Sequence, residues 1–348
     1  MKSILKSLMA GAAGLLLAMH AWAAPYSSLY VFGDSLSDIG NSPSARLSIS
    51  ILIGGCDPGH PCPPYVDGHY TNGPTAAEYL ASSILPGGAT PANFFGYAVS
   101  GSTSGIGNYG DGGTAGSAGI YGLPGMAQQV MAYSFESGGA ADPSALYLVW
   151  GGSNDLLTAD SPVSAAQNVA ALVAALATMG ARDILVPNLP DLALTPFARL
   201  AGLEAPARAF STLFNSTLAS LLTDLDLLSP ARIFQFDTFA FFNDVVADPG
   251  AFGFSNATDG CLLSPLACTE PDTFVFWDDF HPTTAAHALI ASAFARTVPE
   301  PGSLLLMMLA LAALAVCGHG RIGRAQGLAA RAHAPIVPSL YSTHSQGT

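Results

Sequence analysis

The chain has 348 residues, half of them hydrophobic and only 10% charged, a length that allows one large domain or two small ones. Its two lysines, Lys2 and Lys6, sit at the very start, and over residues 24–300 there are 24 acidic residues against six arginines, a net charge of −18. So acidic a stretch excludes nucleic-acid binding, which needs basic patches, and adhesion to anionic lipid by charge alone.

The first element is an export signal. Lys2 and Lys6 give a basic start, residues 10–19 are apolar, and Ala21-Trp22-Ala23 is a small-x-small cleavage site. Residues 1–23 are therefore set aside, and residues 24–297 are read as the folded domain. A β-rich run over residues 27–32 ends at Gly33-Asp34-Ser35. Residues 42–73, rich in Pro, Gly and Cys, predict a long loop, followed by a helix over 75–83 and a strand over 94–99. Residues 101–122 are dominated by Gly, Ser and Thr and predict a second long loop, followed by a helix over 125–137. The run 145–150 is continuously apolar and suits a strand buried on both faces. A helix over 161–179, a strand over 183–187, a helix over 204–227, a strand over 232–236 and a helix over 282–296 complete the series. Strands alternating with helices imply a mostly parallel five-stranded sheet between two helical layers. Loops of this length in a compact domain are commonly functional, and both follow motif-bearing strands, so both are expected to wall a site.

Cys56 and Cys62 are close in sequence, as are Cys261 and Cys268, while Cys317 stands in an apolar tail. An exported chain permits disulfides, so two local staples, Cys56–Cys62 and Cys261–Cys268, are expected. Neither spacing is that of a zinc site, and the chain shows no metal-ligand cluster and no cofactor motif. Pro301-Gly302, an apolar run over residues 303–317 and then Arg321 and Arg324 form the C-terminal segment. The run is short for a lone membrane span, which takes about 20 residues. Residues 325–348 read as a disordered tail.

Two motifs carry chemistry. Phe32-Gly33-Asp34-Ser35-Leu36-Ser37-Asp38 places a serine at a strand exit, and Asp278-Asp279-Phe280-His281-Pro282 places carboxylates two and three residues before a histidine. In a parallel α/β sheet, sites form at the carboxyl ends of strands. Ser35, ahead of an expected helix start, is a nucleophile candidate, although Gly-Asp-Ser taken alone favours a helix cap and only the other motifs reverse that. Pro282 is a favoured first helical residue, so Asp278 and His281 can meet within one turn. A carboxylate on one ring nitrogen fixes the tautomer and frees the other nitrogen to take a proton. Asp279 is a rival for Asp278 on spacing alone. His60, His69 and His287 read as structural or solvated. Gly151-Gly152-Ser153-Asn154-Asp155 follows the third strand, where the Asn154 amide can donate to an oxyanion, and Gly101 can offer a backbone N–H for the same purpose.

Taken together, these blocks resemble the SGNH/GDSL hydrolases. Residues 32–41 look like the first block of that family, Val99-Ser100-Gly101-Ser102 is similar to the second, Gly152-Ser153-Asn154-Asp155 to the third, and Asp278-Asp279-Phe280-His281-Pro282-Thr283 to the last. The second block has Ser-Gly-Ser where Gly-Gly-Ala is frequent. The resemblance covers about residues 26–297 and implies a three-layer α/β/α flavodoxin-like fold and ester hydrolysis. It also implies Ser35 as nucleophile, His281 as base, Asp278 as its orienting acid, and an oxyanion hole of the Ser35 and Gly101 N–H groups with the Asn154 side chain. No Gly-x-Ser-x-Gly elbow is present, which argues against the α/β-hydrolase fold. Residues 298–324 resemble a PEP-CTERM sorting signal, which implies transient membrane association and processing by an exosortase near residues 299–301, although about 24 residues follow the basic cluster. The expected substrate is a lipid, short-chain or sugar-acyl ester at the cell envelope or in extracellular polysaccharide. An acyltransferase using the same acyl-enzyme, and a non-catalytic matrix protein on a hydrolase scaffold, are the alternatives.

Overall fold

Five parallel strands form the centre of the computed structural model, which describes residues 26–40, 60–263 and 268–298. They are β1 (Leu29–Gly33), β2 (Phe94–Gly96), β3 (Leu146–Trp150), β4 (Asp183–Pro187) and β5 (Arg232–Phe236), in the order β2-β1-β3-β4-β5. This is the flavodoxin-like order. All five strands fall on the runs that hydropathy predicts. The export signal, the sorting segment, the tail and Cys56 lie outside the described residues.

Eight helices are described: α1 (Ala76–Ile84), α2 (Met126–Glu136), α3 (Asn154–Leu157), α4 (Pro162–Met179), α5 (Pro196–Ala201), α6 (Glu204–Leu228), α7 (Thr238–Ala247) and α8 (Thr284–Thr297). The strands alternate their side chains between two cores. Leu29, Val31, Leu146, Leu148 and Trp150 pack with α1, α7 and α8 on one face. Phe32, Tyr147, Val149, Ile184 and Val186 pack with α2, α4 and α6 on the other. Both faces are therefore covered, and every residue of β3 is buried. Helix α4 is apolar and long enough to cross a membrane. Val169, Val173 and Leu176 instead bury it against the sheet.

Short helices α3, α5 and α7 and a small parallel pair, β6 (Asn256–Gly260) with β7 (Phe274–Phe276), were not legible in the sequence pattern. Cys261 and Cys268 are joined by a disulfide, with Cα atoms 5.2 Å apart. Cys62 is also disulfide-bonded.

Chain reversal across β1 places the switch point of the sheet between β1 and β3. Ligands in open α/β sheets bind there, beyond the carboxyl ends of the strands.

Candidate active site

Three strand exits and one corner converge at that end of the sheet. At the exit of β1, Gly33 lies so close to β3 that a Cβ would collide with the carbonyl oxygen of Trp150. The Gln129 side chain on α2 closes over this exit. Its Oε1 accepts from the Gly33 N–H at 2.9 Å, and its Nε2 donates to the Gly33 carbonyl at 2.8 Å and to Ser102 Oγ at 2.9 Å. The chain then turns over residues 35–37, where a helix start was expected, and Asp34 Oδ1 accepts from the Leu36 N–H at 3.1 Å. Asp38 ties this turn to the second strand exit, its Oδ2 accepting from the Ser100 N–H at 2.8 Å.

Gly101 follows with φ of +76°, the left-handed region that favours glycine, and a Cβ there would also strike Asn108 Oδ1. Among the described residues neither the Ser35 nor the Gly101 N–H has a backbone or side-chain acceptor. At the exit of β3, Gly152 has φ of +111° and a side chain there would press on Phe214. Asn154 then opens α3. Its Nδ2 donates to the Ser102 carbonyl at 3.0 Å, which fixes the amide plane on a residue that lines the cavity.

The corner between β7 and α8 carries the histidine. Pro282 is not the first helical residue. It bridges back to Phe276, and Thr283 caps α8 instead, its Oγ1 accepting from the Ala286 N–H at 3.2 Å. This sets His281 in a tight turn in which Asp278 Oδ1 accepts from the backbone N–H groups of Phe280 at 2.8 Å and His281 at 2.7 Å. His281 Nδ1 lies 2.8 Å from Asp278 Oδ2, and Nε2 lies 2.9 Å from Ser35 Oγ. Of the two carboxylates that spacing left open, Asp278 is the one on the ring.

The electrostatics follow from burial and pairing. Burial works against the charge on Asp278, but His281 and the two backbone N–H groups outweigh it and hold the carboxyl down at about 2. Burial likewise works against a charged His281, yet Asp278 lifts the ring above the ordinary histidine value. Asp34 is different. Burial pushes it up to about 7, and among the described residues its Oδ2 has no hydrogen-bond partner.

These groups open on a cavity of about 710 Å3. Ser35, Gly101, Asn154, Asp279 and His281 line it, with His60, Tyr70 and Tyr109. Leu156, Leu157, Leu192, Phe197, Leu203 and Phe280 supply apolar lining. Both long loops thus contribute walls, His60 and Tyr70 from the first and Gly101 and Tyr109 from the second.

A family model for GDSL-like lipase/acylhydrolase matches residues 29–294. The chain belongs to this family. A second match, to the PEP-CTERM protein-sorting motif, covers residues 297–321 and marks a chain exported and sorted to the cell envelope. Among relatives of the GDSL chain, an uncharacterised protein from the trpE–trpG intergenic region of Pseudomonas putida is 30% identical over 81% of this chain and 50% of its own length. A phosphatidylcholine-sterol acyltransferase of Aeromonas hydrophila is 28% identical over 68% of this chain and 65% of its own. A GDSL esterase/lipase of Arabidopsis thaliana is 25% identical over 76% of this chain and 85% of its own. The chain thus spans half to about two thirds of the length of the first two.

Among the other described histidines, His69 and His287 are held within the fold, in line with the expectation for them. His69 Nε2 pairs with Glu78 at 3.0 Å, and His287 Nδ1 accepts from the Ala76 N–H at 3.2 Å. Burial holds His287 down at about 3. His60 is placed otherwise, against the His281 ring at a centroid distance of 6.1 Å. Gln129 and Tyr65, which contact the β1 exit and Asp278, carry no local sequence signal, because these partners are 96 and 213 residues away.

Proposed function

We propose that this GDSL-family chain cleaves carboxylic esters through an acyl-enzyme on Ser35. The observation that carries the reading is the continuous chain Asp278–His281–Ser35, with contacts of 2.8 and 2.9 Å, opening on a largely apolar cavity. His281 Nε2 takes the Ser35 proton as Oγ attacks the ester carbonyl carbon. The oxyanion that forms is met by the Ser35 and Gly101 N–H groups and the Asn154 amide. His281 then gives the proton to the departing alcohol oxygen, leaving the acyl group on Ser35. A water deprotonated by His281 attacks the acyl-serine, and collapse releases the acid and restores Ser35. Asp278 keeps Nδ1 protonated and balances the imidazolium at both stages.

An apolar wall of Leu, Phe and Pro side chains favours an acyl group of medium or greater length over acetate. An acyltransferase reading keeps every step but replaces the attacking water by an alcohol, and the Aeromonas hydrophila relative bears such a name. The sorting motif favours action at the envelope or in extracellular polysaccharide after exosortase processing.

The test is hydrolysis of nitrophenyl esters from acetate to palmitate by the full chain and by Ser35→Ala, with competing alcohols added to detect transfer. Hydrolysis that vanishes in the variant is the expected result. Activity that survives in the variant overturns the nucleophile assignment, and ester products formed with the added alcohol establish the transferase reading.

A further inference from the structure

The Asp278 carboxylate is almost wholly buried, and its environment has a local and a distant part. The local part is the pair of backbone N–H groups on Oδ1, from Phe280 and His281. The distant part is the hydroxyl of Tyr65, 213 residues away in sequence, which donates to Oδ2 at 2.8 Å. Oδ2 is also the oxygen closer to His281 Nδ1, at 2.8 Å against 3.0 Å for Oδ1. Tyr65 therefore shares an acceptor atom with the imidazole.

Packing alone explains why the ring is buried. It sits edge-on against Trp277 at 6.1 Å and His60 at 5.0 Å between centroids. It does not explain a hydroxyl aimed at the carboxylate. The segment bearing Tyr65 is also tied to the histidine turn at two further points. Thr71 Oγ1 donates to the Pro282 carbonyl at 2.8 Å, and Asn72 Oδ1 accepts from the Thr284 N–H at 2.8 Å. Tyr70 and His60 from the same segment lie against the His281 ring, at 5.5 and 6.1 Å.

We propose that Tyr65 is a positioning residue that acts through Asp278 on His281. This rests on the reading of Asp278 and His281 as acid and base given above. Its hydroxyl holds the Oδ2 edge of the carboxylate toward Nδ1 and draws negative charge out of the Asp278–His281 contact. Loss of that donor leaves more charge on Oδ2 for the imidazolium. His281 then titrates higher, and less of it is the neutral base at a given pH. The other titratable groups facing the pair are Asp34, Asp279, His60, Tyr70 and His287, and all of them are retained in the variants below.

The experiment uses the full chain, Tyr65→Phe, which keeps the ring, and the chain with a fluorinated tyrosine at position 65, which donates more strongly and keeps the side-chain shape. The first readout is the His281 titration followed by NMR in the resting protein. The second is the pH profile of kcat/KM on a nitrophenyl ester. In Tyr65→Phe the His281 midpoint moves up, the acid limb moves with it, and kcat falls about tenfold, the scale of one charge-assisted hydrogen bond, with KM unchanged. With the fluorinated tyrosine the midpoint moves down. A midpoint unmoved in both proteins overturns the proposal, as does a rate loss without any shift, which would mean a packing role only. The titration needs no turnover. A wild-type chain inactive on every ester would sink the esterase reading while the NMR arm still decides whether Tyr65 governs His281.

Discussion

The polar and the apolar parts of the cavity lining are held by different forces. Among the polar groups, Ser35 and His281, with Asp278 behind them, are joined by contacts of 2.7 to 3.0 Å, and each group is oriented by the next. Among the apolar groups, Leu157, Leu192, Phe197 and Leu203 line the space through shape alone. A hydrogen-bonded chain works only at one geometry, so a single lost atom removes most of its effect. An apolar lining contributes by area, so its losses are graded, at about 0.8 kcal/mol for each methylene that leaves water. The polar groups are expected to set rate and the apolar lining preference.

The sharpest way to break this contrast is Ser35→Ala, for which the expected loss in kcat is about 10^6-fold, the scale for a nucleophile removed from such a unit. Single-turnover assays with a nitrophenyl ester measure it, and a loss below about 100-fold would place the nucleophile elsewhere. Asp278→Asn follows, with an expected fall of about 10^4-fold in kcat, because an amide no longer dictates the tautomer of His281. Asn154→Ala is expected to lower kcat about 10^2- to 10^3-fold with little change in KM, the signature of a donor used in the transition state. In the apolar lining, Leu157→Trp fills cavity space. Acetate ester hydrolysis should persist, while the chain-length optimum should shorten, by about fourfold in kcat/KM for each methylene excluded. Equal losses on acetate and palmitate esters would contradict the division of labour.

The smallest effect concerns stability. Burial raises the Asp34 carboxyl from 3.8 to about 7. A raised folded-state value means that this group's contribution is fully present below pH 3.8 and is lost as pH rises through about 7. His287 runs the other way. Held at about 3 against an ordinary 6.5, its contribution is present above 6.5 and lost as pH falls through about 3. Denaturant unfolding of the wild type and Asp34→Asn at pH 5 and pH 8 isolates the first. The variant should lose less stability than the wild type between the two pH values, and parallel behaviour would refute the assignment.

Much of the fold was legible because its signals are local. The strand run at residues 145–150 is short and continuously apolar, that at 183–187 is apolar from Ile184 onward, and the helix over 161–179 is bounded by Ser161 and Gly180, which the structure shows as its caps. Helix α7 was missed because Phe239, Phe241 and Phe242 in a run of ten residues carry no clear periodicity. The start of α8 was misplaced by two residues, since Pro282 suits a first helical turn but the antiparallel bridge to Phe276 holds it outside.

The site divides along the same line. Ser35, Gly101, Asn154, Asp278 and His281 each stand in a short block whose residue types follow from local geometry: a tight turn after a strand, a positive φ, a carboxylate three residues before a ring. Those blocks were readable in one dimension. Which carboxylate meets the ring, that Gln129 closes the β1 exit, that Tyr65 reaches Asp278, and that residues 190–207 join Leu156, Leu157 and Phe280 in the apolar lining were decided only when the sheet order β2-β1-β3-β4-β5 brought distant segments to one end. Contacts across tens to hundreds of residues leave no pattern in sequence spacing, because they depend on strand register and crossover, which only the folded chain possesses.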